Sequence, residues 1–165
     1  MSDHGKIEFV PLQEEDIVLL TTIMTRSFDE DARIHLGEGH RDGPAGYDNG
    51  EFLMRYGVLA SNDSFTILMH GEAIGVAIVW IQDEGNYYLE SLFIDSSIQN
   101  MGIGTRIWRM IESKYPDAKM WKTATPGTSK RNHHFYIDKC GFKLINILNP
   151  GDIEQETYEL EKKMM

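Results

Sequence analysis

The sequence predicts an α+β, or mixed α/β, fold on three observations. Strand candidates follow in series between Ser64 and Ile94, split by the short polar turns His70-Gly71-Glu72 and Asp83-Glu84-Gly85-Asn86. In the second half, the helix-like segments Gly102–Tyr115 and Ser129–Cys140 alternate with strand candidates. The run Ala73–Ile81 is almost continuously apolar, as a central strand buried on both faces should be. An antiparallel meander joined to crossover helices belongs to this class.

Taken in order, Ile7-Glu8-Phe9-Val10 alternates as a first strand and stops at Pro11. From Gln13 to Phe28, apolar residues at Ile17, Leu20, Ile23, Met24 and Phe28 keep helical spacing. The polar stretch Asp29–Tyr47, with four glycines and a proline, reads as a long loop holding at most one helical turn near Ala32–Leu36. Asp48–Leu59 is a second helix, capped by Asp48 or Asn49. Strands follow at Ser64–Met69, Ala73–Ile81 and Tyr87–Ile94. The helix Gly102–Tyr115 ends at Pro116. Ala118–Thr123 is a strand bounded by Pro126-Gly127. Ser129–Cys140 is a helix with Gly141 placed to take the left-handed residue after it. Phe142–Leu148 and Glu156–Glu161 complete the sheet across the Asn149-Pro150-Gly151-Asp152 turn. The expected order is β-α-α-β-β-β-α-β-α-β-β.

At 165 residues, 41% hydrophobic and 25% charged, the chain reads as a single domain spanning residues 1–165. A net charge of −10 argues against nucleic-acid binding, which wants basic stripes, and is compatible with a cationic acceptor. The lone Cys140 excludes an internal disulfide and a cysteine-based metal site. His35 and His40 do not form a metal set, and no metal is expected. Met1–Val10 lacks the apolar centre of a signal peptide and no stretch is long enough to span a membrane, so a cytoplasmic location is expected.

The sharpest local feature is the run Gln99-Asn100-Met101-Gly102-Ile103-Gly104-Thr105, lying between a strand and a helix. Helix starts offer unpaired N–H groups and a positive dipole end, and glycine lets backbone approach an anion such as a pyrophosphate. A dinucleotide fingerprint fails, because Ile107 stands where its third glycine belongs, and no P-loop pattern is present.

This run, with Leu92-Phe93-Ile94-Asp95 before it, resembles the signature of the GNAT superfamily of N-acetyltransferases, an apolar strand end followed by Gln/Arg-x-x-Gly-x-Gly/Ala. A second block, Asn132-His133-His134-Phe135-Tyr136 closing with Cys140-Gly141-Phe142, is similar to the Asn-opened helix of that family. The resemblance runs from about Lys6 to Lys162, with sharp motifs only in Tyr87–Phe142. It implies the GNAT acyl-CoA N-acyltransferase fold: a central mixed, mostly antiparallel sheet flanked by helices, with the fourth and fifth strands splayed around the acyl chain of the cofactor. It also implies acetyl-CoA as cosubstrate, a small-molecule or peptide amine as acceptor, and a homodimer as one assembly state.

What the resemblance implies for the site follows residue by residue. The main chain of Leu92, Phe93 and Ile94 would pair with the pantetheine arm. The N–H groups of Gln99, Asn100, Met101, Gly102, Ile103, Gly104 and Thr105 would cradle the pyrophosphate. Asn132 would contact the cofactor or cap its helix. Acetyl transfer to an amine needs a base for the amine proton, a donor for the carbonyl oxygen and an acid for the thiolate. Tyr136 is the candidate acid, with core packing as the other reading. It lies five residues before Gly141, where the family pattern has four. Glu90 is the candidate base, sharing a strand face with Tyr88 and Leu92, with a water as the alternative. The Asp29-Glu30-Asp31 run is either solvated or supplies charge for a cationic acceptor, and Trp80 and Trp121 read as core. The expected function is acetyl-CoA-dependent N-acetyl transfer by direct attack. The rivals are a binding module without catalysis and an acyltransferase for a longer acyl group.

Overall fold

The computed structural model describes residues 6–98 and 102–165. Seven strands form one sheet: β1 (Ile7–Pro11), β2 (Asp63–Met69), β3 (Glu72–Ile81), β4 (Asn86–Ile94), β5 (Met120–Pro126), β6 (Lys143–Leu148) and β7 (Thr157–Lys163). Their spatial order is β1-β2-β3-β4-β5-β7-β6. Every neighbouring pair is antiparallel except β4 and β5, which run parallel, as a strand–helix–strand crossover requires.

The helices α1 (Ile17–Leu36) and α2 (Ile103–Lys114) cover opposite faces of this sheet. The alternation of β3 sets this up. Val76 and Ile78 point to the face where α1 lays Leu20, Ile23 and Met24. Ala77 and Val79 point to the face where α2 lays Ile107, Trp108 and Ile111. The α2 side is built on aromatic rings. Trp108 meets Trp121 edge-on at 5.1 Å and Phe142 at 5.2 Å, while Tyr87 lies 5.3 Å from Trp121. Trp80, expected in the core, is 49% exposed instead, with only an edge contact to Tyr88.

Three helical segments differ from the sequence expectation. The first does not stop at Phe28 but runs to Leu36, so Asp29-Glu30-Asp31 is helical rather than loop. The acidic run is stabilised from one turn on: Arg33 pairs with Glu30, and His35 Nε2 lies 3.4 Å from Asp31. Asp48–Leu59 becomes a short helical start at Glu51 followed by a π-helix, Leu53–Leu59, and Asn49 Oδ1 accepts from the Glu51 N–H at 3.0 Å as the expected cap. The last helix opens as α3 (Lys130–His133) and continues as a π-helix over His134–Lys139. Its wider turn is visible in Cys140 N–H donating to Phe135 C=O, five residues back, at 3.0 Å.

Candidate active site

The site lies where β4 and β5 part. Their parallel pairing runs from Asn86 opposite Met120 to Leu89 opposite Thr123, and no pair follows. Thr123 Oγ1 donates to Leu89 C=O at 2.9 Å and closes the last rung. A β-bulge sits at the same point. Ile78 pairs with Ser91 and Val79 with Leu89, so Glu90 is the extra residue.

The bulge resets which side chains face which way. Before it, Tyr87 and Leu89 point into the α2-side core. After it, Leu92 and Ile94 pack on that core, while Phe93 joins the α1 side. The simple alternation that put Glu90, Tyr88 and Leu92 on one face therefore fails at Leu92. Glu90 is left half-buried beside Tyr88, and burial raises its carboxyl above the ordinary glutamate range. It has no hydrogen bond or ion pair among the described residues.

Two adjoining cavities occupy the gap. The first, about 390 Å³, is bounded by Leu92, Phe93 and Ile94 on β4, by Gly102, Gly104 and Thr105 at the start of α2, and by Asn132, Phe135 and Tyr136. The α1 residues Ser27, Phe28 and Asp31 also reach it. The second, about 320 Å³, holds Tyr88, Glu90, Thr125 and Glu154, and shares Phe28, Asp42, Leu92, Pro126, Asn132 and Tyr136 with the first.

The start of α2 turns on a glycine. Gly102 is its N-cap with φ 74°, a left-handed conformation that suits glycine. The first helical bond is Arg106 N–H to Gly102 C=O at 3.2 Å, so the N–H groups of Ile103, Gly104 and Thr105 come before the ladder. The Ile103 side chain is buried in the core, leaving its main chain as the only part available. A methyl group on Gly104 would sit 3.0 Å from the Phe135 ring. Gln99, Asn100 and Met101 lie outside the described residues. The Gly102→Ala variant is expected to lose about 1–2 kcal/mol in urea unfolding, because alanine at positive φ is strained.

Tyr136 stands at the junction of the two cavities and is 6% exposed. Burial, with Cys140 close by, pushes its phenol well above the usual tyrosine range, while the Thr123 hydroxyl pulls the other way. The π-helical turn takes up the surplus residue between Tyr136 and Gly141. Asn132 does not cap its helix. Ser129 does, its Oγ accepting from the Asn132 N–H at 3.4 Å, while Asn132 Nδ2 donates to Thr125 Oγ1 at 3.0 Å. This bond ties α3 to the free end of β5.

The other charged candidates are mostly engaged. Asp31 accepts from Ser129 Oγ at 3.0 Å and pairs with Arg131 at 3.4 Å, joining α1 to α3. Asp29 accepts from Tyr47 Oη at 2.6 Å and from Arg41 at 3.0 Å. The acidic run is thus a set of structural links rather than a solvated face. Arg131, His134 and Lys139 border the first cavity. His133 stacks on Tyr158 at 4.2 Å and pairs with Pro126 C=O. Cys140 is buried, and its thiol is pushed up to about 12, so it stays protonated and inert as a nucleophile. Among the described residues, no group of three His, Cys, Asp or Glu side chains could hold a metal, and no helix is long and apolar enough to cross a membrane.

Comparison with known proteins agrees with this geometry. Residues 25–142 match the family described as the acetyltransferase (GNAT) family. An uncharacterised Bacillus subtilis protein, YrkN, is 37% identical over 86 residues, 52% of this chain. That stretch is 46% of YrkN, so the chain spans about half the length of the curated relative it matches. An acetyltransferase from Thermus thermophilus superposes with a TM-score of 0.77 at 15% identity, covering 98% of this chain and 99% of the other. The PaiA N-acetyltransferase of Thermoplasma acidophilum, solved in complex with coenzyme A, superposes with a TM-score of 0.72 at 17% identity, covering 96% and 99%. At these identities the likeness is one of fold.

Proposed function

The chain belongs to the GNAT acetyltransferase family, and on that premise we propose that it moves an acetyl group from acetyl-CoA to a primary amine by direct transfer. We read residues 1–165 as one such domain, supported by the single seven-stranded sheet. The observation that carries the proposal is the parting of β4 and β5 after Leu89, with the start of α2 on one cavity, Glu90 on the other and Tyr136 between them.

The residues present fit the cosubstrate. At Leu92, Phe93 and Ile94 β4 pairs with β3 on one edge, and among the described residues no strand pairs with the other edge, which faces the gap and suits an amide-bearing arm. The N–H groups of Ile103, Gly104 and Thr105 suit a pyrophosphate, and Gly104 keeps the approach to Phe135 open. Gln99, Asn100 and Met101 belong to the same proposed cradle. Asn132 bounds the cavity, and its link to Thr125 keeps the α3 wall in place. Acetyl-CoA supplies an activated acyl group on a sulfur that leaves as a thiol.

Glu90 takes the proton from the attacking amine, directly or through a water, and Tyr136 gives its proton to the departing sulfur. A protonated, buried Cys140 leaves no covalent enzyme intermediate to be formed there. The register argument for a binding module without catalysis weakens, because the π-helical turn accounts for the spacing and Tyr136 still reaches the cavity.

The test is the pH profile of a Glu90→Gln variant. A base works deprotonated, so activity falls as pH drops through its pKa. Burial raises that pKa, so the acidic limb of kcat/KM lies above the ordinary glutamate value of about 4.3. Glu90→Gln is expected to lower kcat/KM by about 10–10²-fold near neutrality and to abolish that limb. An unchanged limb would assign the base to another group.

A further inference from the structure

We propose that the second cavity binds an aliphatic amine carrying at least one further cationic nitrogen, a diamine or polyamine, in preference to a monoamine or an amino acid. The inference rests on the acetyl-transfer reading above, which makes this cavity the acceptor side. Its volume of about 320 Å³ falls in the range of small-molecule sites.

The two cavities differ in charge. The first is bordered by Arg131, His134 and Lys139 and by the positive end of α2, which suit a polyphosphate, with Asp31, paired to Arg131, and Asp42 also in its lining. The second has four carboxylates, Asp42, Glu90, Glu154 and Glu156, and no lysine, arginine or histidine in its lining. Glu156 is partly engaged, its Oε2 accepting from the Gly151 N–H at 2.7 Å. Asp42 and Glu154 form no ion pair among the described residues, and burial, with the charges of Asp31 and Glu154 adding to it, raises the Asp42 carboxyl above its ordinary range. Grouped anions in a half-closed cavity repel, and a cation placed among them relieves that repulsion.

The roles follow from position. Glu90 stands at the bulge beside the reacting end, where the attacking nitrogen must become neutral. Asp42 and Glu154 stand where a second nitrogen can stay charged. Phe28, Phe52 and Leu92 give the intervening methylenes an apolar wall. A carboxylate on the acceptor would meet only like charge, so amino acids are disfavoured.

Calorimetric titration of spermidine, 1-aminobutane and 4-aminobutanoate into the protein, with and without saturating coenzyme A, tests this. The expected result is 1:1 binding of spermidine, with the other two at least about tenfold weaker. Glu154→Lys should weaken spermidine by about tenfold or more and leave coenzyme A affinity unchanged. Equal affinity for spermidine and 1-aminobutane overturns the proposal, as does tighter binding of 4-aminobutanoate. Spermidine binding that is not 1:1, or that survives Glu154→Lys, would be attraction to the net negative surface and would also overturn it. Spermidine binding measured without coenzyme A decides the cavity by itself, whereas failure of coenzyme A to bind strikes at the acetyl-transfer reading instead.

Discussion

The Tyr136→Phe variant turns over about 10²-fold more slowly than the native chain, with KM for acetyl-CoA within about twofold. The ring stays in place, because Tyr136 is buried and packs edge-on against Phe135 at 5.0 Å and Phe142 at 5.6 Å. Phenylalanine fills the same space, so the loss reports on the hydroxyl alone. Burial holds the proton on that oxygen, which is the state an acid must be in. Since the pKa is raised, any alkaline limb due to Tyr136 lies above the ordinary tyrosine value of about 10. Steady-state rates of both proteins at neutral and alkaline pH decide the matter. Equal kcat throughout would remove Tyr136 from the chemistry and leave it a packing residue.

The Trp121→Ala variant loses about 3–5 kcal/mol of stability and melts on the order of 10 °C lower. Trp121 is fully buried and touches the rings of Trp108, Tyr87 and Tyr115 at 5.1, 5.3 and 5.9 Å. It stands on β5 opposite Tyr87, inside the short paired stretch before the strands part. Few rungs hold β4 to β5, so the side chains beneath them fix the gap. The indole Nε1 has no hydrogen-bond partner among the described residues. Trp121→Phe therefore removes area without orphaning a partner and should cost less than half as much as alanine, roughly 1–2 kcal/mol. Urea unfolding of both variants checks the pair. A Trp121→Ala loss below about 1 kcal/mol would contradict this account of the core.

The central strands were legible because each is a local apolar run bounded by turn residues. Ala73–Ile81 and Tyr87–Ile94 needed nothing beyond their own composition. The second half of α1 was not legible. Asp29-Glu30-Asp31 reads as solvated charge until Arg33 and His35 are seen one turn on, and the links to Ser129 and Arg131 span about a hundred residues. The bulge at Glu90 left a trace that alternation overlooked: two adjacent polar residues, Glu90-Ser91, inside an otherwise apolar strand. The π-helical turn left a trace as well, the five-residue spacing from Tyr136 to Gly141. Backbone irregularities of one residue change which side chains meet without changing composition, so sequence shows them only as broken periods. The glycine turn was read as a helix start, and Gly102 and Gly104 stand at the start of α2.

The central claim is met most directly by measuring free coenzyme A released when the protein is mixed with acetyl-CoA and an amine. The account predicts release that requires both protein and amine, saturates with each substrate, and falls about 10²-fold in Tyr136→Phe. Absence of amine-dependent release across monoamines, polyamines and peptide N-termini, in protein that binds coenzyme A, would contradict it.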